Sequence, residues 1–334
     1  MRQRRRAERQ NTARPTLKDN VHNRTEERYL QRILIGAAVA LGLLIIGLLA
    51  TGWYFNFLKP PEKIVASVNG EDYLLHEVVP YTKIEGFYTS QFNPNIALNT
   101  LIKNNTLDQF SQDQGIDIQL NQVENKLITM FEKATGTSDV PSSLSQEGER
   151  ELENFVNLIG IEVSDYKNWI RGQLLEDAYF DLFLTQASKT ADQVFLEWIV
   201  AANSISGQNA YERISSGENF NSVATELNVD NIFADKEGVV GWVPKGALLE
   251  MDPYLFANDN QNNSISPPIV TSLGSIVYRI TNNSKDREIS ESMRILLAQN
   301  NFQSWMDQIT SEIIFTFNDD DIKWVLGQIE REYE

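Results

Sequence analysis

The longest apolar stretch of the chain runs from Ile33 to Leu58, without a single Asp, Glu, Lys, Arg or His. Leu, Ile, Ala, Gly and Val fill it, and Trp53, Tyr54 and Phe57 close it. As a helix these 26 residues reach roughly 39 Å, enough to cross a ~30 Å hydrocarbon core with some tilt. A buried core helix of that length would carry a polar face. A cleaved signal peptide has a shorter apolar region, about 7–15 residues, and would not follow a 32-residue polar tail. The pattern therefore predicts a transmembrane helix over 33–58, bracketed by Arg32 and Lys59, with its aromatics at the interfacial belt.

Beyond Lys59-Pro60-Pro61-Glu62-Lys63, a stiff linker, the periodicity changes. Ile64–Val68 and Asp72–Leu74 read as short strands around Asn69-Gly70, a strong hairpin signal because both turn residues need positive φ. Helical patterning starts near Leu75–Glu77 and continues to about Ser188. Apolar residues recur at three and four spacing in Leu98–Phe110, Val123–Ala134 and Leu152–Ile159. A further helix is expected over Ser164–Ala187, with Tyr166, Trp169, Ile170, Leu174, Leu175 and Ala178 on one face. Gly115, Gly136 and the polar stretch Ser138–Gly148 are breaks, the last a mobile loop.

From about Thr190 the pattern becomes mixed. Val194–Ala201, almost continuously apolar and β-rich, predicts a central strand. Helices are expected near Gln208–Ser216 and over Phe220–Leu227, and strands over Gly238–Val243, Ile269–Thr271 and Ile276–Ile280. Amphipathic helix returns at Ser290–Met306. The acidic run Asn318–Asp321 reads as a solvated turn before a last short helix, since it lacks the spaced ligands of a calcium loop. The expected fold class is α+β.

Charge gives the helix a direction. Residues 1–32 hold ten Arg or Lys and four acidic residues, a net of +6, which leaves −23 for residues 33–334 of a chain totalling −17. Positive flanks stay cytoplasmic, so the acidic bulk is expected outside the cytoplasm, on a single-pass protein of the cell membrane. The RQRRR run at Arg2–Arg6 reads as a topology and anionic-lipid signal beside such a helix. So acidic a body argues against nucleic acid as a partner.

The chain has no cysteine, which excludes disulfides and thiolate chemistry, and only two histidines, His22 and His76. No transition-metal site, P-loop or dinucleotide fingerprint is expected, and no cofactor. No Ser-His or Cys-His pairing is available for hydrolysis. Glycosylation sequons occur at Asn104, Asn262 and Asn282, a motif that matters only in a eukaryotic secretory route.

Two regions resemble membrane-anchored and periplasmic foldases of the SurA, PrsA and PpiD type. KIVASVNGEDYLLHEV at Lys63–Val78 resembles the start of their N-terminal chaperone domain. SSGENFNSVATEL at Ser215–Leu227, EGVVGWVPKGALL at Glu237–Leu249 and ISPPIVTSLGSIVYRI at Ile265–Ile280 resemble, in order and spacing, a parvulin-type peptidyl-prolyl isomerase domain. The resemblance implies a basic tail over 1–32 and, beyond the spanning helix, a mainly helical chaperone domain over 62–189. It further implies a parvulin-like domain of antiparallel sheet with flanking helices over 190–287. The C-terminal helices over 288–334 are expected to pack back on the helical domain.

Active parvulins carry a histidine in the first strand and another in the last. The corresponding positions here are Trp198 and Ile276, and the family's Asp in its "GGDLG" segment is Val239. What the resemblance retains is the apolar side of a proline pocket, Leu248, Met251 and Phe256, with Trp198 beside it, and Thr271 before the last strand. Asp230 lies in the loop where the family keeps an Asp or Cys, its alternative reading being a solvated loop carboxylate; Asp230 and Thr271 are the candidate polar groups. The apolar positions are equally consistent with ordinary core. The implied partners are unfolded or newly exported polypeptides, bound by the parvulin-like segment and a groove of the helical part. Phe87, Tyr88, Phe92 and Phe131 are candidates to line that groove, or else core. A working isomerase with an atypical pocket and a non-catalytic scaffold are the alternative functions.

Overall fold

The computed structural model describes residues 17–53, 60–131, 143–257 and 263–331. The Arg2–Arg6 run, Tyr54, Phe57, Gly136, Asn262 and residues 138–142 lie outside the described residues, as does the Trp53 side chain; the end of the expected 138–148 loop, Gln146–Gly148, is instead the first turn of a helix capped by Ser145.

The chain divides into two units, residues 1–63 with 74–76, and residues 64–73 with 77–334. In the first, helix α1 spans Leu17–Trp53 and so begins inside the basic segment rather than at Ile33. Its stretch Leu34–Gly52 is long and apolar enough to cross a membrane and buries nothing. A 3-10 turn at Pro60–Glu62 follows, and the His76 ring donates from Nδ1 to the Pro61 carbonyl, 2.8 Å away.

The second unit opens on the hairpin of β1 (Ile64–Val68) and β2 (Glu71–Leu74). Asn69 and Gly70 take φ of 53° and 84°, the left-handed pair a tight hairpin turn requires. Five helices follow: α2 (Leu75–Thr89), α3 (Pro94–Ser111), α4 (Leu120–Phe131), α5 (Gln146–Ile159) and α6 (Val163–Gln186). Ile84, Leu107, Leu127, Val156, Tyr166, Ile170, Leu175 and Tyr179 form their shared core. The buried Lys83 ammonium donates to the Gly160 carbonyl at 2.5 Å, placing a cation at the C-terminus of α5 where the helix dipole favours it.

The mixed region builds a four-stranded antiparallel sheet in the order β4-β3-β6-β5. Its strands are β3 (Thr190–Ala201), β4 (Val239–Pro244), β5 (Ile269–Thr271) and β6 (Gly274–Glu288). β3 is internal, as its apolar run requires. Alternate residues supply two cores. Ile199 and Val277 face α7 (Ser204–Ser215) and α8 (Phe220–Leu227), with Ala210, Phe220 and Val223. Leu196, Trp198, Val200, Ile276, Tyr278 and Ile280 face the opposite side. There Met251 and the one-turn helix α9 (Asp252–Leu255) cover them.

β6 is three times as long as the Ile276–Ile280 strand expected from the sequence. Pairing with Thr190–Phe195 carries the strand past Thr281-Asn282-Asn283-Ser284 to Glu288 through two register shifts. The acidic run is also corrected. Asn318 caps α11 (Asp319–Glu330), and Asp321, 5% exposed, accepts from the Asn318 amide at 2.9 Å. The acids complement the positive end of that helix. Asn104 is 3% exposed, which removes it as a glycosylation acceptor in the folded chain.

After the sheet, α10 (Glu291–Ile309) packs along α6 with Phe302, Trp305, Met306 and Ile309 in the helical core. β7 (Ile314–Phe315) then pairs antiparallel with β1, completing a second sheet in the order β2-β1-β7.

Candidate functional site

A cavity of about 240 Å³ opens on the face of the four-stranded sheet opposite α7 and α8. Trp198 of β3 and Ile276 of β6, both fully buried, form its floor. Ala247, Leu248, Leu249, Glu250 and Met251, the segment between β4 and α9, make one wall. Thr271, Ser272 and Leu273, the β5–β6 turn, make another. Phe233 and the α10 residues Leu296 and Asn300 complete the lining. Leu249 and Leu273 are 55% and 41% exposed and sit at the mouth.

Strand alternation explains the floor. Leu196, Trp198 and Val200 share one face of β3, and the pairs Trp198↔Tyr278 and Val200↔Ile276 set the register that brings Trp198 and Ile276 together. Gly238, at φ 83°, lets the start of β4 approach: a Cβ there would lie 2.5 Å from the Trp198 carbonyl. The Trp198 amide donates to the Gly238 carbonyl at 2.8 Å.

Asp230 does not line the cavity. Its Oδ2 accepts from Trp198 Nε1 at 2.9 Å and from the Ala234 amide at 2.9 Å. Its Oδ1 accepts from the Ile232 and Phe233 amides at 2.8 and 3.2 Å. The half-buried carboxylate therefore organises the 230–234 loop and fixes the indole, and neither reading made from the sequence, solvated acid or polar site group, describes it. Phe256 packs against the core beneath the cavity without lining it. Thr271 lines it, with its hydroxyl engaged: it donates to the Gly274 carbonyl at 3.1 Å and accepts from the Leu273 amide at 3.2 Å.

Glu250 Oε2 accepts from the Ser272 amide at 3.0 Å, bridging the two walls at the mouth. Asp252 Oδ2 accepts from the Gly246 amide at 2.7 Å, and burial raises its carboxyl above the usual range. Among the lining residues there is no histidine, lysine or arginine. The cavity offers shape and desolvation to an apolar group and carries no proton-transfer pair.

Sequence reasoning missed Phe233, Ala247, Leu249, Glu250, Ser272, Leu273, Leu296 and Asn300. Ala247, Leu249, Glu250 and Ser272 adjoin residues that it named. Leu296 and Asn300 come from a helix far along the chain, and nothing in their local pattern signals the cavity.

The helical part presents a row of touching rings. Phe131, Phe155, Tyr166, Trp169, Tyr88 and Phe87 follow one another at centroid spacings of 5.0–5.9 Å, except Phe131–Tyr166 at 6.0 Å. Phe87 and Tyr88 are 47% and 46% exposed. Phe92, also exposed, lies over Gly86, where a Cβ would meet its ring at 2.2 Å. Phe131 is half-buried in the core. Trp169 Nε1 donates to Glu85 Oε1 at 3.2 Å, and the Tyr88 and Tyr166 hydroxyls lie 2.7 Å apart.

No family model matches the chain. It is similar to the parvulin-like PPIase of Rickettsia conorii, 22% identical over 230 residues, and to that of Rickettsia typhi, 23% identical over 230 residues. Each match covers 66% of this chain and 73% of the relative. Among solved structures, the peptidylprolyl isomerase PrsA of Bacillus anthracis matches at 13% identity and a TM-score of 0.39, over 71% of this chain and 97% of that one. A SurA-like chaperone of Campylobacter jejuni matches at 16% identity and a TM-score of 0.26, over 74% and 94%. The curated relatives bear the name parvulin-like PPIase, the domain that the motifs resemble.

Proposed function

We propose that this chain is a membrane-tethered extracytoplasmic folding factor that binds unfolded or newly exported polypeptides, with residues 190–287 as a peptide-binding module. The observation that carries the proposal is the cavity. Two of the segments that resemble a parvulin domain, Glu237–Leu249 and Ile265–Ile280, contribute to one apolar hollow, floored by Trp198 and Ile276 where that family has histidines. Trp198, Leu248 and Met251 take a proline ring or a comparable apolar group, Thr271 shapes the wall, and Phe256 and Asp230 support it from behind.

Prolyl isomerisation breaks no covalent bond; it rotates an amide over a barrier of ~18–20 kcal/mol. An apolar hollow favours the twisted, desolvated amide to some extent. Without a polar network, binding is the principal activity and turnover is weak. In the helical part, over 62–189 with the returning 288–334 segment, Phe87, Tyr88 and Phe92 supply apolar surface for a second contact with an extended chain. The −23 charge of residues 33–334 keeps such a surface soluble. The apolar helix and the +6 tail favour a single span with the N-terminus cytoplasmic.

A protease-coupled prolyl-peptide assay on residues 62–334, beside suppression of aggregation of several unrelated clients, tests the reading. Suppression with little turnover is expected. Robust turnover, abolished by Met251→Ala, would establish a working isomerase instead, and failure to protect any client would favour a fixed-partner scaffold.

A further inference from the structure

Helix α10 belongs to two cores at once. Met293, Leu296 and Leu297 in its first half pack against the sheet core beneath the cavity. Phe302, Trp305, Met306 and Ile309 in its second half pack into the helical core. There Trp305 stacks on Tyr179 of α6 at 4.9 Å, and Phe302 lies 6.2 Å from Tyr179 and 5.8 Å from Phe183. Near the first half, Arg294 donates to the Leu184 carbonyl at 3.0 Å, tying α10 to the end of α6.

At the crossover, Asn300 Nδ2 donates to the Gly246 carbonyl at 2.7 Å and to the Ala247 carbonyl at 3.0 Å. These carbonyls open the wall that runs on to Met251. Gly246, at φ 94°, permits the approach: a Cβ there would lie 3.1 Å from Leu297. The wall is thus held to a helix whose other half is fixed in the helical core. A segment ending at Glu288 contains neither Leu296 nor Asn300 and so has an incomplete cavity.

We propose that α10 couples the cavity to the helical core, with Asn300 as the positioning residue of the cavity wall. The inference rests on the reading of the cavity as a peptide site. A neutral apolar-Pro peptide in the cavity adds contacts to Leu296 and favours the docked position of α10. Linkage then requires the reciprocal effect: loosening α10 from α6 at Phe302, which does not line the cavity, lowers affinity there.

The test uses the full chain in detergent and a fluorescein-labelled Ala-Leu-Pro-Phe peptide, read by anisotropy. Met251→Ala, inside the cavity, tests the site. Phe302→Ala, outside the cavity, tests the coupling, with Phe302→Leu in reserve should the larger truncation fail to fold, and Asn300→Ala tests the anchor of the wall. Each coupling variant is expected to weaken binding about five-fold or more, the lower range of measured couplings. Peptide is also expected to slow amide exchange over residues 300–309 in the wild type, a change that a purely structural helix would not show. No binding by the wild type would remove the peptide-site reading and the coupling with it. Binding lost in Met251→Ala but unchanged in Phe302→Ala, or no peptide effect on exchange, would leave the site and overturn the coupling.

Discussion

Trp198 is fully buried, and its indole N–H reaches Asp230 at 2.9 Å. Replacing it by Phe keeps most of the ring but removes one of four donors to a half-buried carboxylate. The expected cost is about 1–3 kcal/mol of stability, read as a lower urea midpoint at unchanged slope. Trp198→Ala should cost about 3–5 kcal/mol, because a cavity replaces the ring. Titration gives a second test at this scale. Burial first, and the Glu71 charge second, raise Tyr73 to about 12; burial first raises Tyr81 to about 12. Both hydroxyls stay neutral in the folded chain while their unfolded counterparts ionise from about 10. Stability is therefore fully present below pH 10 and falls as pH rises from 10 to about 12, measurable as tyrosinate absorbance that lags behind that of the denatured protein. The Trp198 position was legible from the motif order, but the partner of its indole was not. Asp230 sits in a loop of Val, Asn and Ile whose hydrogen bonds exist only once the loop closes around the carboxylate.

Helices with regular three-and-four spacing and strands bounded by Gly or Pro were legible within a few residues. Phe220–Leu227 and Ile269–Thr271 fall where their patterns placed them. The elements that were missed lack a local signal. β7 is only Ile314–Phe315, exposed at 65% and 52%, and exists because the main chain of β1 is available to pair with it. The polar half of β6 is a strand because β3 continues beside it. The acidic run, read as a solvated turn for want of calcium-loop spacing, instead suits the first turn of a helix with Asn318 as cap. Asn318→Ala should destabilise by about 1 kcal/mol, the usual worth of such a cap, seen as a lower melting temperature. Gly238→Ala should cost more than a cap, since it adds a positive-φ strain to a Cβ 2.5 Å from the Trp198 carbonyl. The expected readout is a lower urea midpoint together with weakened peptide binding.

At the scale of the whole molecule, the expected behaviour is that of an anchored protein. After cell fractionation the full chain should remain with membranes through alkaline carbonate washing, and a chain starting at Glu62 should be released. Recovery of the full chain in the soluble fraction would remove the tether from the proposed function. The sequence determined those properties that depend on composition and near neighbours: an apolar helix, an acidic body, a hairpin at Asn69-Gly70, and the segments that resemble a parvulin-like domain. Such properties are set by the solvent that each stretch prefers and by backbone conformations that few residues adopt. The tertiary structure alone decided which distant residues share an environment. It paired β7 with β1, put Asp230 under Trp198, and brought Leu296 and Asn300 of α10 to a cavity whose other lining residues lie between Trp198 and Ile276. Those contacts follow from closing long loops and burying several apolar faces together, and no local pattern records which face will meet which.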